Sequence, residues 1–296
     1  MSSAHRNGDI IHVVCIADAN YGPYAGITLA SVLGANSPGD VHVHLFSDGI
    51  DDRDVKRVAA MVRRTNAQFS LYDIKGKLEE IRTLPKRINH YTRASYGRLF
   101  FPEFLSPDIT RAMYLDSDII CVSSLRELWA IGEGIQLLGA ARDPWIDNDH
   151  EHKRALGMPE DHPYFNAGML LINIEAWRCR NIGDRILEFV ARPKVTKHAD
   201  QDVINSALWK EITEVPQRWN LLITSPRSNE IPERLADAAN IHFCGGFKPW
   251  HFGYRLMGGA GAEAFRRAKA ASPWQWMFPD FQVNRVRRKL RQAIRI

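Results

Sequence analysis

Two aspartates, Asp116 and Asp118, sit inside the apolar run MYLDSDIICV from Met113 to Val122. The run reads as a buried strand, and residues two apart on an extended backbone face the same side. An unpaired carboxylate in a core is costly, and two close carboxylates raise each other's pKa unless a cation lies between them. A hard divalent ion that also grips phosphate oxygens resolves that conflict. With Ser117 between them, the pair suits a strand end that opens into a cleft. Such pairs also occur in solvated turns, but the flanking Tyr114-Leu115 and Ile119-Ile120 argue against a turn.

Polar residues recur wherever the other apolar runs stop: Asp18 and Asn20, Asn166, and His242. Each alone reads as a turn cap; strand ends of one parallel sheet, however, converge in space. His242 heads the segment Phe243-Cys244-Gly245-Gly246-Phe247-Lys248-Pro249-Trp250. It is either a core histidine or a nitrogen ligand completing an Asp-Asp-His site. The glycines allow close approach of backbone to phosphate, and Lys248 offers a cation; Trp250 reads as a core or lid residue. Three lookalikes are set aside. His150-Glu151-His152 reads as solvated, His42 and His44 as structural residues on the polar face of a strand, and Arg53 to Arg64 as a solvated helix face. No GxSxG nucleophile motif occurs.

The elements that must position these groups alternate in type. Ile10 to Ala17 reads as a first strand, Tyr24 to Leu33 as a helix, and Val41 to Phe46 as a second strand. Asp51 to Val62 follows as a helix and Phe69 to Ile74 as a third strand. That order predicts an α/β fold with a parallel sheet and ligands at the carboxyl ends of its strands. No GxGxxG follows the first strand, which disfavours a dinucleotide cofactor. Arg93 to Phe104 is expected as a helix carrying Tyr96 and Arg98, after a polar loop from Arg87 to Thr92. A helix near Ser124 to Ile131 and a strand near Leu137 to Ala141 come next. Asp143 to Pro159 is expected as a mobile flap or a small subdomain, Tyr164 to Ile174 as a strand, and Ala176 to Val190 as one amphipathic helix. His198 to Trp209 places Asp200-Gln201-Asp202 at a helix start, Asn240 opens a short strand, and Gly258 to Ala271 forms a last helix.

The 296 residues are 45% hydrophobic and 25% charged, which suits a globular enzyme with a full core. No run of about 18 apolar residues exists to span a membrane, and the N-terminus lacks a signal-peptide pattern. The four cysteines have no CxxC spacing, so a reducing, cytoplasmic location is expected. From Phe281 to Ile296 there are six basic residues and no acidic one. These outnumber the chain's net charge of +5, so the body is one charge negative and nucleic-acid binding is not indicated. Trp274, Trp276, Phe278 and Phe281 lead into Val283, Val286, Leu290 and Ile294, an apolar stripe beside a cationic face. That pattern suits an interfacial helix on an anionic membrane, with RNA binding or plain solvation as rivals. The chain divides into an N-terminal tail (1–9), a body (10–272) and a basic aromatic tail (273–296).

Taken in order, Ala17-Asp18-Ala19-Asn20-Tyr21, Tyr96-Gly97-Arg98-Leu99, Tyr114-Leu115-Asp116-Ser117-Asp118, Phe165-Asn166-Ala167-Gly168, Asp200-Gln201-Asp202 and His242 to Trp250 resemble glycosyltransferase family 8. The likeness spans roughly residues 10 to 253 and is nearest to bacterial lipopolysaccharide galactosyl- and glucosyltransferases. It implies a GT-A type nucleotide-diphospho-sugar transferase fold, a Rossmann-like mixed sheet flanked by helices. It also implies a divalent metal (Mn2+ or Mg2+), a UDP-sugar donor, a glycan or glycolipid acceptor, and retention at the anomeric carbon. On the matching positions, Asp116, Asp118 and His242 hold the metal, with Ser117 beside them. Ala17, Asp18, Asn20 and Tyr21 receive uridine and ribose. Arg98, Asn166 and Asp200 hold the sugar, Gly245 and Lys248 the diphosphate, and Ala167 also lies on the donor. Gln201 lies beneath the anomeric carbon, and Asp143 near the sugar or acceptor. Such enzymes also carry a basic aromatic tail at the inner face of the membrane. Ala19, where an acid is common, and Gly246-Phe247 depart from the pattern. Two other classes compete. A sugar nucleotidyltransferase requires a basic glycine-rich loop after strand 1, which Asp18 to Tyr21 is not. A non-catalytic sugar-nucleotide-binding protein would not need Asp116, Asp118 and His242 intact.

Overall fold

The computed structural model describes residues 10–76, 87–88, 91–190, 197–227, 232–257 and 259–280. Twelve strands are present among them: β1 (Ile11–Asp18), β2 (Val41–Asp48), β3 (Gln68–Asp73), β4 (Arg87–Ile88), β5 (Tyr91–Thr92), β6 (Arg111–Leu115), β7 (Ile119–Cys121), β8 (Leu138–Arg142), β9 (Phe165–Asn173), β10 (Ile212–Glu214), β11 (Leu221–Leu222) and β12 (Asn240–His242). Seven of these form the central sheet, in the order β10-β8-β9-β6-β1-β2-β3. As the alternating pattern requires, β1, β2 and β3 are parallel, and β6 joins β1 in the same sense. The exception is β9, antiparallel to both β6 and β8. Its reversal brings the start of β9, Asn166, to the edge where β1, β6 and β8 end. Asp18, Asp116 and Asp143 mark those three ends.

Side chains alternate between two cores, one on each face. On β1, Val13 and Cys15 enter one core and Val14 and Ile16 the other; on β6, Met113 and Leu115 are separated from Ala112 and Tyr114. Each fully buried Leu, Ile or Phe here contributes about 1.5–3 kcal/mol of burial free energy, which fixes the register that aligns the polar strand ends. The helix Gly22–Ala35, begun by Pro23, buries almost its whole surface between the sheet and the helix Ala262–Ala270. Among the described residues no helix is long and apolar enough to cross a membrane.

Several elements differ from the sequence-based expectation. Met113 to Val122 is two strands, not one: β6 stops at Leu115, Asp116 to Asp118 make a turn, and β7 enters a second sheet, β11-β12-β7. Arg93 to Phe104 is a short helix, Arg93–Tyr96, followed by 3₁₀ turns at Gly97–Leu99 and Phe101–Glu103. Pro102, which has no N–H to donate, sits at the start of the second turn. Ala176 to Val190 splits into Ile174–Cys179 and Ile182–Val190, because Asn181 takes φ of 49°.

Asp143 to Pro159 is packed rather than a loose flap. Asp149 caps the helix His150–Ala155, and Lys153 is buried on Asp147 at 2.8 Å. His150 and Glu151 are exposed, but His152 is buried and meets Asp202 at 2.8 Å, so the solvated reading fails for that histidine. Of the aromatics assigned to the C-terminal tail, Trp274 is a core residue lying on Gly26, where a Cβ would fall 2.1 Å from its ring. Trp276 and Phe278 are exposed. Residues 1–9 and 281–296, including Phe281 and the basic stripe, lie outside the described residues.

Candidate active site

The turn after β6 places both aspartates. Asp116 N–H bonds the Gly168 carbonyl at 2.8 Å, and Ile119 N–H closes the turn on the Asp116 carbonyl at 3.1 Å. Antiparallel pairing of β12 with β7 sets His242 opposite Ile119, directly beside Asp118. His242 Nε2 is 3.3 Å from Asp118 Oδ1 and 3.9 Å from Asp116 Oδ2. One ligand atom from each of Asp116, Asp118 and His242 lies within 4.8 Å of the others.

Each member is held from behind. The buried Arg98 guanidinium spans Asp116, with Nη2 2.8 Å from Oδ1 and Nη1 3.3 Å from Oδ2, and also donates to the Ala167 carbonyl at 2.6 Å. Tyr114 donates to Asp116 Oδ1 at 2.5 Å, and its ring lies under the guanidinium. Lys248 Nζ is 2.6 Å from Asp118 Oδ2. Burial alone would raise the Asp118 pKa, but the Lys248 ammonium outweighs it and holds this carboxyl well below its ordinary range. Burial likewise works against the Lys248 ammonium, and the Asp118 carboxylate raises it regardless.

A directed hydrogen-bond network joins this corner to Gln201 and Asp143. It is oriented by two backbone donors of β9. Gly168 N–H bonds Asn166 Oδ1 at 2.9 Å, so Asn220, which also meets that oxygen at 2.9 Å, must present its amide N–H there. Asn220 Oδ1 therefore faces His242, whose Nδ1–H donates to it at 3.0 Å, leaving Nε2 with its lone pair toward the aspartates. On the other side, Ala167 N–H and Asn166 Nδ2 both donate to Gln201 Oε1 at 3.1 Å. Gln201 Nε2 and Asn166 Nδ2 then donate to Asp143 Oδ2, at 3.2 and 3.1 Å. Asp143 Oδ1 accepts from Trp145 N–H and Ile146 N–H.

The helix Ala199–Leu208 delivers Gln201 and Asp200 from a buried Ala199 held at φ of 50°, a conformation an alanine adopts only under constraint. Asp200 pairs with Arg98 Nε at 2.8 Å, while its Oδ1 is buried without a hydrogen bond. Burial pushes the Asp200 carboxyl up to about 6, against the lowering influence of Arg98.

One cleft collects Ala17, Asp18, Tyr21, Arg98, Asp116, Ser117, Asp118, Asn166, Asp200, Gln201, His242 and Lys248. The other expected residues stand off its walls. Asn20 is exposed. Asp18 Oδ1 is occupied by Asn20 N–H and Tyr21 N–H, so this side chain shapes the first turn as well as lining the cleft. Ala167 contributes through its carbonyl and amide. Asp143 lies behind Gln201 and Asn166. Gly245 backs the cleft where a Cβ would sit 1.9 Å from the Thr224 carbonyl oxygen. Trp250 is a core residue stacked on Tyr24 at 3.9 Å. Sequence reasoning missed Asn220 and the phenol of Tyr114. The latter was legible, two residues before Asp116 at strand spacing; Asn220 belongs to no motif.

The residues fit a hard divalent ion: two carboxylates, one imidazole in the right tautomer, and a buried Asp118 Oδ1 that accepts no hydrogen bond.

The family model for glycosyl transferase family 8 matches residues 12–253. Among curated proteins, the chain is 29% identical over 282 residues to the lipopolysaccharide 1,3-galactosyltransferase of Salmonella typhimurium, covering 91% of this chain and 81% of that one. It is 26% identical over 262 residues to general stress protein A of Bacillus subtilis, covering 83% and 89%. It is 27% identical over 271 residues to the lipopolysaccharide glucosyltransferase WaaO of Escherichia coli, covering 87% and 77%. Among solved structures, galactosyltransferase LgtC in complex with donor and acceptor sugar analogues superposes with a TM-score of 0.77 at 28% identity, over 89% of this chain and 96% of that one.

Proposed function

The chain belongs to glycosyl transferase family 8, with a GT-A fold, and on that premise we propose that it transfers a hexose, galactose or glucose, from a UDP-sugar to a glycan acceptor with retention at the anomeric carbon. Lipopolysaccharide core is the acceptor this reading favours. The observation that carries it is the convergence of Asp116, Asp118 and His242 within 4.8 Å, with Lys248 on the same carboxylate and Gln201 across the cleft.

Asp116, Asp118 and His242 would hold Mn2+ or Mg2+, which supplies Lewis-acid charge on the diphosphate as the sugar–phosphate bond breaks. Lys248 adds a fixed cation where leaving-group charge develops. Arg98 and Asp200 grip the sugar, and Tyr21 and Ala17 border the nucleoside end. Gln201 does not act as a nucleophile in this mechanism. Its carbonyl oxygen already accepts from Ala167 N–H and Asn166 Nδ2, and a neutral amide is a weak nucleophile besides. The acceptor hydroxyl therefore attacks from the face the UDP leaves, and a phosphate oxygen takes its proton. Gln201 holds the sugar's opposite face, and Asp143 keeps Gln201 and Asn166 in place. A covalent adduct on Gln201 or a neighbouring aspartate would overturn this route.

The cytoplasmic face of an anionic membrane is the proposed place of work, through residues 273–296. Exposed Trp276 and Phe278, followed by six basic residues, favour it. UDP release from a panel of UDP-sugars, with manganese and then chelator, tests the central reading. Metal-dependent release from one donor, abolished in Asp118→Ala, is expected; equal release with chelator would contradict it. Co-sedimentation with anionic vesicles, lost on deleting 281–296, tests the membrane reading.

A further inference from the structure

At the opposite edge of the sheet, about 20 Å along β1 from Asp18, three histidines share one face. His42 and His44 are two apart on β2, and His12 is the register partner of His42 on β1. His44 is fully buried; His12 and His42 are half-buried and reachable from solvent. We propose that His12, His42 and His44 form a second, all-nitrogen site for a late transition-metal ion of the zinc or nickel class.

The spacing suits it. One nitrogen from each ring lies within 4.8 Å of the others, and His12 Nδ1 is 3.0 Å from His44 Nε2. Two nitrogens of a tetrahedral zinc site, each bound at about 2.0–2.1 Å, lie roughly 3.3 Å apart. An outer layer is also in place. On β3, Ser70 is the register partner of His44, and Tyr72, the partner of Phe46, lies two residues further along the same face. Ser70 Oγ is 2.9 Å from His42 Nε2, and Tyr72 Oη is 3.1 Å from His44 Nδ1. With each hydroxyl accepting, His44 Nε2 and His42 Nδ1 keep their lone pairs, the arrangement that outer partners impose on metal-bound imidazoles.

The rings need lose no proton charge to bind. Burial, reinforced by mutual proximity, lowers His12 to about 4 and His44 to about 2. Two local charges act in opposite senses: the Asp108 carboxylate favours a cation here and Arg111 opposes one. Binding also requires two rearrangements. The hydrogen bond between His12 and His44 is replaced, and the His42 ring, stacked on His44 at 4.0 Å, turns about its Cβ–Cγ bond. A nitrogen-only set selects zinc, nickel or copper over manganese or magnesium, so this site and the oxygen-rich cleft take different ions. A bound ion would tie β1 to β2.

The test is equilibrium dialysis of the full chain against zinc, and titration with Co2+ followed by its visible spectrum. His42→Gln is expected to bind one zinc fewer per chain and to lose the tetrahedral cobalt bands. Tyr72→Phe is expected to weaken that zinc by about 10- to 100-fold, and manganese binding in the cleft should match in all three proteins. Equal zinc stoichiometry and affinity in the parent and in His42→Gln, both folded by circular dichroism, would overturn the proposal. His12→Gln, a half-exposed change, serves the same comparison if His42→Gln does not fold.

Discussion

Lys248 Nζ lies 2.6 Å from Asp118 Oδ2, so the cation proposed to meet the diphosphate is already paired with a carboxylate proposed to hold the metal. The two cations compete for one oxygen. Were Asp118 to hold a divalent ion, Lys248 would be freed to serve as the second cation of the proposed diphosphate site. Removing the lysine separates the two effects. In Lys248→Met, manganese binding should tighten by about tenfold, a small part of the roughly 4 kcal/mol Coulomb ceiling for such a pair at an effective dielectric near 20. UDP release should fall by about 10²–10³-fold through loss of leaving-group stabilisation. Calorimetric titration with manganese alone, beside turnover, checks both; unchanged or weaker metal binding would rule out the competition.

Asn220 connects His242 to Asn166 and through it to Gln201, so its two amide atoms do different work. Asn220→Asp keeps an acceptor for His242 Nδ1–H but loses the donor to Asn166. Asn220→Leu loses both. Manganese affinity should therefore survive in the aspartate variant and drop by about 10–100-fold in the leucine variant, while turnover falls in both. Equal metal affinities in the two variants would show that Asn220 only fills space.

How far this arrangement could be read from sequence depends on what each residue needs. Asp116, Asp118 and His242 stand out because charged or polar residues inside apolar runs demand a reason. β1 to β3 stand out because their periodicity is clear. Three features are not local. Reversal of β9, which brings Asn166 to the common edge, is a property of strand order. The break of Ala176 to Val190 at Asn181 and the two turns after Tyr96 follow from tertiary packing that overrides a helical pattern. Burial of His152 follows from Asp202 and Tyr164, whose hydroxyl is 2.6 Å from the same Asp202 oxygen. Neither residue is near His152 in the chain.

Gly168 tests how tightly the corner around Asp116, Asp118 and His242 is built. A Cβ there would sit 2.2 Å from His242 Cε1 and 2.6 Å from Nδ1, so the ring must yield. Gly168→Ala should destabilise the fold by about 1–3 kcal/mol, as overpacking does, and weaken manganese binding by unseating His242. Gly34→Ala is the control. Its Cβ meets nothing within 4 Å, and alanine in that helix should instead stabilise by about 0.5–1 kcal/mol. Urea unfolding of both variants checks the opposite signs; a neutral Gly168→Ala would mean that His242 has room to move.

Asp200 is a case where the site works against the fold. Its carboxyl is raised from 3.8 to about 6, chiefly by burial, with Arg98 opposing and Asp116 adding to the rise. The folded protein therefore keeps a proton that the unfolded chain releases between about pH 4 and pH 6. Stability from this group is greatest below pH 4 and declines as pH rises toward 6; the full loss is at most roughly 3 kcal/mol. Asp200→Asn removes the ionisation while keeping a hydrogen-bonding side chain beside Arg98. Its melting temperature at pH 8 should equal or exceed the parent's, and its decline between pH 4 and pH 6 should be shallower. If Asp200 also holds the donor sugar, turnover should collapse in the same variant, giving a protein no less stable and much less active. A melting profile parallel to the parent's across pH 4 to 8 would mean that Asp200 ionises normally and that Arg98 fully offsets its burial.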